Sequence, residues 1–361
     1  MHAGSRRATG ALGVVLLLTA CGGAEEGGSG LSGPLPGAGA SSQEVAMIGW
    51  LAWMSENHPD VLVSYDPVGS GSGREMFIND AIQFAGSDAA MEADELDAAS
   101  ERCLGGEVIE LPLYISPIAV TYNLPDLDVE HLNLSPETLG RIFDGDISTW
   151  DDPAIAETNP GVDLPDTAVV PVNRSDDSGT TENFTEYLAE AAGDAWPHEA
   201  SETWPISGSQ SGTGTSGVIT TVQAAEGTIG YVDAAQVTED LGTVAVQVGD
   251  EFVPFSPEAA AAVVDVSPPG DGASDLRLTI DLARDTEESG AYPIVLVSYT
   301  IVCSRYAEER DVENVKALLT YIASEEGQER AGDPSVAGSA PISDQLRERV
   351  MAAIDQITVA P

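Results

Sequence analysis

The chain has 361 residues, 42% of them hydrophobic, which is enough for a packed core and about two domains of ordinary size. Asp and Glu number 60 against 14 Lys and Arg, giving a net charge of −46, and the chain has a single lysine, Lys316. That balance excludes nucleic acid and anionic membrane surfaces as partners, because polyanions are repelled and phosphate-neutralising cations are scarce; it also excludes long-range steering of a small anion, so an anion site must work at contact range.

Arg6 and Arg7 precede an apolar run, Ala11–Ala20, that is too short to span a bilayer and has the order of a secretory signal. The run ends in Leu18-Thr-Ala-Cys21, which resembles the lipobox of bacterial lipoproteins. Residues 1–20 are therefore expected to be removed and Cys21 to carry a lipid that anchors the chain to the membrane without spanning it. Residues 21–40 are Gly-rich and read as a flexible tether. Cys103 and Cys303 remain, and in an exported protein two leftover cysteines most simply pair with each other. Such a bond requires the start and the end of the fold to be neighbours.

In chain order the spacing predicts a helix over Val45–Met54, a buried strand over Val61–Tyr65 and a helix over Glu75–Phe84, followed by a Gly-flanked turn over Ala85–Met91. Val108–Asn123 is strand-rich, with Pro112 and Pro117 expected to break it. Further strands are predicted over Ala168–Val172, Thr228–Val232, Thr243–Val248 and Tyr292–Cys303, a loop over Pro268–Ser274 and a last helix over Val315–Gly327. Strands alternating with helices predict an α/β protein with largely parallel sheets.

Three glycine-rich turns stand out. In PVGSGSGREM (Pro67–Met76), a strand runs through a Gly/Ser turn into a helix, leaving N–H groups unpaired at the positive end of the helix dipole. In NRSDDSGTTENF (Asn173–Phe184), Ser178, Gly179 and Thr180 fall at a helix start, and Arg174 offers a planar fork of donors to a tetrahedral anion. Asp176 and Asp177 are placed either to cap that helix or to hold the guanidinium. The third, Gly212–Gly217, satisfies G-x-G-x-x-G literally with Asp233 downstream, but the segment before it is no apolar strand, so a dinucleotide site is not expected. Between the first two turns lies Asp88, which either caps the following helix or presents a carboxylate to the anion. A carboxylate beside an oxyanion is sensible only when that oxyanion carries a proton, as phosphate does near neutral pH and sulfate does not.

Taken in order, GAGAS (37–41), VGSGSG (68–73), GSDAAM (86–91), LGRIFDGDISTWDDPAI (139–155), NPGVDLP (159–165), RSDDSGTTENFTEYL (174–188), GTIGYVD (227–233) and YPIVLVSY (292–299) resemble the phosphate-binding proteins of the bacterial high-affinity phosphate ABC transporter, the PstS type. The resemblance runs through nearly the whole body, from about Pro36. It implies a two-lobed, hinged periplasmic-binding-protein fold of type II, with mixed or parallel sheets flanked by helices. The implied lobes are 41–114 plus 296–361 and 115–295, with crossings near 111–117 and 292–298. The first lobe would give Ser41, the backbone around Ser42, Ser70 and the acceptor Asp88. The second would give Arg174, Ser178, Gly179 and Thr180, with Asp176 orienting the arginine. At position 42 the family often has phenylalanine, so the serine is a departure. The implied partners are inorganic phosphate and the permease of an ABC transporter, with a monomer on the extracytoplasmic face and no cofactor, metal or nucleic acid. A receptor for sulfate or molybdate is the rival among binding proteins, and Asp88 argues against it. An exported phosphatase is the rival among enzymes, but His2, His58, His131 and His198 are scattered and no G-x-S-x-G is present. The sequence does not separate a transport role from phosphate sensing.

Overall fold

A run as apolar as Val108–Tyr122 can be buried on both faces only in the middle of a sheet, and there the structure puts it. The computed structural model describes residues 30–361; the signal-like residues 1–20, Cys21 and residues 22–29 of the expected tether lie outside the described residues. The strands of the main sheet are β1 (Gly33–Gly39), β2 (Val61–Asp66), β3 (Phe84–Ser87), β4 (Val108–Tyr122), β5 (Leu132–Leu134), β6 (Val170–Arg174), β7 (Gln210–Gly212), β8 (Thr228–Asp233), β9 (Gly242–Val248), β10 (Glu251–Pro254) and β11 (Val295–Cys303). The helices are α1 (Glu44–Asn57), α2 (Ser70–Ile78), α3 (Ala93–Arg102), α4 (Pro136–Asp144), α5 (Pro153–Thr158), α6 (Gly179–Ala191), α7 (Gly214–Gln223), α8 (Pro257–Val266), α9 (Glu309–Ala323), α10 (Glu325–Gly332) and α11 (Asp344–Asp355). Among the described residues no helix is long and apolar enough to cross a membrane.

The sheet runs β2-β1-β3-β11-β4-β8-β6-β7, with β9 on β4 carrying β5 and β10. Parallel pairing holds on the two flanks, β1 with β2 and β3, and β6 with β7 and β8. The centre is antiparallel, since β11 runs against β3 and β4, and β4 runs against β8. The expected largely parallel sheet is thus a mixed one. Its first half, β4 up to Pro117, pairs with β11, and from Ile118 onward its partner is β8.

The prolines of β4 do not break it. Pro112 sits where the β11 register shifts between Ser298 and Tyr299, and Pro117 sits where β4 changes partner. At both places the ladder asks for no N–H, so a residue without one is tolerated.

Three other expectations need correction. The tether stops short of residue 33, because Gly33–Gly39 form β1 with Leu35 and Ala38 fully buried. Its glycines serve close approach: a Cβ on Gly37 would overlap the Phe84 ring, and Gly39, at φ 143°, lies against the Gly86 backbone. The helix expected over 75–84 starts earlier, at Ser70, and ends at Ile78; Asp80 takes φ 57°, and Phe84–Ser87 become β3. The expected last helix is interrupted after Ala323, where the Ser324 hydroxyl accepts from Gly327 N at 3.0 Å and starts α10, and α11 follows.

Cys103, at the end of α3, is bonded to Cys303, at the end of β11, with Cα atoms 5.1 Å apart and 200 residues between them. Both cysteines are fully buried, and Cys303 pairs across the ladder with Val108 at the start of β4. A cross-link closing so long a loop removes much of the unfolded chain's freedom. Replacing both cysteines by serine is expected to lower stability by about 2–5 kcal/mol. Thermal melts with and without reductant test this: reductant should shift the parent and leave the double variant unmoved.

Candidate functional site

Four helices begin at one place. Ser41 precedes α1, Gly69 caps α2, Ser178 caps α6 and Thr213 caps α7. The Thr215 N–H donates to Ser41 Oγ at 3.1 Å, and the two hydroxyls lie 3.2 Å apart. A Cβ on Gly179 would lie 2.7 Å from Ser70 Oγ and 2.8 Å from Asp88 Cβ, so α6 approaches α2 and β3 closely enough to exclude any side chain. The first turn of a helix leaves N–H groups without intrahelical partners. Here some are taken: Thr181 N donates to Ser178 Oγ at 3.2 Å and Gly214 N to Asp176 Oδ1 at 3.0 Å. The N–H groups of Ser42, Ser70, Gly179 and Thr180 hydrogen-bond to no described residue. Such a cluster of orphan donors favours negative charge.

Arg174 ends β6 and is 3% exposed. Its Nε donates to Asp176 Oδ1 at 2.9 Å and its Nη2 to Oδ2, which locks the guanidinium plane. Of the two acids expected to cap or clamp, Asp176 is the clamp, while Ser178 is the cap and Asp177 accepts from Thr203 Oγ1 at 2.8 Å. Burial pushes the Asp176 pKa up, but Arg174's hydrogen bonds and charge, with the Gly214 N–H, outweigh it and hold the group below the ordinary value. Arg174 Nη1 is left without a hydrogen-bond partner among the described residues.

Asp88 follows β3 and is 4% exposed. It does not cap α3, whose cap is Glu92. Oδ1 accepts from Ser42 Oγ and Ser298 Oγ, each at 2.6 Å, and Oδ2 accepts from Thr180 Oγ1 at 2.9 Å. Its backbone N–H donates to Ser70 Oγ at 3.2 Å, and its carbonyl accepts from Asn183 Nδ2 at 2.8 Å. Burial raises the Asp88 pKa above the usual carboxylate value; the hydroxyls of Ser298, Ser42 and Thr180 and the charge of Arg174 oppose that rise without cancelling it.

Ser41, Ser42, Ser70, Asp88, Arg174, Ser178, Gly179 and Thr180 are therefore brought together, all buried. Ser42, expected to serve through its backbone, also serves Asp88 through its hydroxyl. Ser298 and Gln43 are not among the expected site residues; Ser298 is a polar residue within an apolar strand, Gln43 stands among Ser41, Ser42 and Glu44 with nothing to set it apart, and both end up buried. Thr215 and Gly214 lie in the glycine motif set aside above. A short strand, β7, does precede that motif, so it is a strand–turn–helix whose first N–H groups face Ser41 and Asp176. Asp233, downstream of it, ends β8 fully buried. Its carboxylate accepts from Ala235 N at 3.0 Å and from the Tyr114 hydroxyl at 3.1 and 3.2 Å.

A family model for the PBP superfamily domain matches residues 24–326. Phosphate-binding protein PstS2 of Mycobacterium bovis BCG is 33% identical over 366 residues, covering 95% of each chain. Phosphate-binding protein PstS 3 of Mycobacterium leprae is 33% identical, over 90% of this chain and 86% of that one. Among solved structures, a high-affinity periplasmic phosphate-binding protein (PfluDING) bound with phosphate superposes with a TM-score of 0.70 at 21% identity, covering 89% of this chain and 93% of that one. A phosphate-binding protein from Stenotrophomonas maltophilia gives 0.66 at 19% identity, covering 89% and 94%. These two likenesses carry the fold, a two-lobed periplasmic-binding-protein architecture with its curled mixed sheet flanked by helices.

Burial raises the Asp233 pKa to about 7, with the nearby Ser116 hydroxyl opposing the rise and the charge of Asp88 adding to it. An acid whose folded value lies above its unfolded value binds its proton more tightly when native, so its contribution is most favourable below the unfolded value, ~3.9. That contribution is lost as the pH climbs from there through about 7. Asp233→Asn cannot ionise and is expected to gain stability relative to the parent over this window, by a few kcal/mol at most. Denaturant melts of both proteins at acidic, neutral and mildly alkaline pH test this; a difference that does not grow with pH would contradict it.

Proposed function

The chain belongs to the PBP superfamily and, within it, to the PstS phosphate-binding proteins, and from that premise we propose that it captures inorganic phosphate where the starts of α1, α2, α6 and α7 meet and delivers it to the permease of an ABC transporter. The observation that carries this reading is the arithmetic of acceptors at Asp88. A carboxylate offers two lone-pair positions on each oxygen. Oδ1 has both filled by Ser42 and Ser298, and Oδ2 has one filled by Thr180. One acceptor position is left, beside orphan N–H donors and the free Nη1 of Arg174. An anion that fits this set must both accept and donate, which a protonated phosphate does and sulfate does not.

The two lobes of this reading are 41–114 plus 296–361, enlarged by β1, and 115–295. Two features support the division: β4 changes partner at Ile118, and β11 returns beside it. Contacts between the two segments include Thr180 to Asp88, Thr215 to Ser41 and the Arg74–Glu202 ion pair at 2.7 Å. Closure on the ligand is favoured because the closed state adds such contacts. The protein acts by binding rather than by catalysis. It is a monomer held on the extracytoplasmic face through lipid on Cys21, and Ser41, Ser42, Ser70, Arg174, Ser178, Gly179 and Thr180 donate to the anion.

Asp88→Asn turns an acceptor into a group that donates as well, so phosphate is expected to lose its advantage over sulfate by ~10²-fold or more. Calorimetric titration of both anions into parent and variant checks this, and unchanged selectivity would sink the reading. Arg174→Ala removes a charge-assisted donor and leaves the Asp176 carboxylate without its cation; phosphate affinity should fall by about 2–5 kcal/mol in the same titration.

A further inference from the structure

Asp88 is held by a second pair of residues whose chemistry decides which way one proton points. Gln43, just before α1, and Ser298, on β11, are 255 residues apart, and the Gln43 side-chain amide donates from Nε2 to Ser298 Oγ. Gln43 Nε2 also lies 3.5 Å from the Tyr299 carbonyl oxygen, which can only accept. Turning the amide over would set two oxygens against each other there. It would also leave Nε2, instead of Oε1, as the buried atom without a partner, so turning it gains nothing. The nitrogen therefore faces Ser298.

A hydroxyl has one proton. With Ser298 Oγ receiving from Gln43, its own proton is sent to Asp88 Oδ1 at 2.6 Å, where Ser42 donates at the same distance. Two donors on Oδ1 stabilise the ionised carboxylate, and only the ionised form leaves the open position on Oδ2 an acceptor. We propose that Gln43 and Ser298 are positioning residues for anion selectivity: together they keep Asp88 an acceptor-only group, so that the site demands an anion that brings its own proton. The inference rests on the phosphate reading given above. Both residues are fully enclosed, Ser298 at 0% and Gln43 at 1% exposure, so neither touches solvent that would supply the same donor.

The other titratable or charged groups near Asp88 are Arg174 at the end of β6, Tyr65 on β2, Tyr114 on β4 and Asp233 at the end of β8. None of them is altered by changes at 43 or 298. The test is calorimetric titration of phosphate and of sulfate into the full chain from pH 4.5 to 8. The anion's own titration is common to all variants and drops out of the comparison. Ser298→Ala removes one donor to the ionised carboxylate. Its loss of phosphate affinity on acidification should begin about one pH unit higher than in the parent, a roughly tenfold weakening on that limb. Gln43→Glu supplies an acceptor that turns the Ser298 proton away from Asp88 and should move the limb in the same direction, further. A folded Ser298→Ala with an unmoved limb overturns the inference, as does a weakening equal for both anions at every pH, which is what mere packing loss would give. Should Ser298→Ala not fold, an unmoved limb in Gln43→Glu overturns it alone. A parent that holds sulfate as tightly as phosphate overturns the phosphate reading, and this inference with it; a selective parent with unmoved variants overturns only the inference.

Discussion

A carboxylate enclosed in protein without a cation of its own must be satisfied by dipoles, and each dipole has to be brought by some piece of backbone. Asp88 draws its hydroxyls from the start of α1, the middle of β11 and the first turn of α6. Those segments come from the beginning, the end and the middle of the chain. The geometry of the whole sheet can be read as what is needed to bring them within hydrogen-bond distance of one side chain. Lose that carboxylate's partners and the cost of burying charge has nothing to offset it, so its surroundings are fixed more tightly than ordinary packing would require.

The surface charge poses the opposite problem. A chain with net charge −46 repels phosphate at a distance, yet the proposed site meets it with neutral donors, one arginine and a single carboxylate, Asp88, left open to it. Screening shortens the repulsion to about 8–10 Å in physiological salt, whereas hydrogen bonds in a dry cleft act at about 3 Å and are strengthened by the low local polarisability. The arginine itself is paired with Asp176 and so contributes direction more than net charge. Recognition rests on placement of donors and acceptors, and the acidic exterior is compatible with it.

Much of this was legible in the residues. RSDDSGT announced a strand, a turn and a capped helix in sequence-adjacent order, and local chemistry decided the outcome there. What escaped was non-local. The glycines of 33–39 read as a tether because composition cannot tell slack from close approach; only the Phe84 ring and the Gly86 backbone, far along the chain, make them necessary. Pro112 and Pro117 read as breaks because the register shift and partner change that excuse them belong to other strands. Ser298, one polar residue in an apolar strand, and Gln43, one of several polar residues before α1, had a meaning that depended on meeting each other.

The place of β11 in the sheet has a consequence for how the protein is made. It is inserted between β3 and β4, although both precede it by about half the length of the chain. Until residues 295–303 have emerged, β3 and β4 each present an unpaired edge, and the cysteine at the end of α3 has no mate. Non-local pairing of this kind closes large loops and forms late. A chain built in this order cannot complete its sheet until about the last fifth of it has been made.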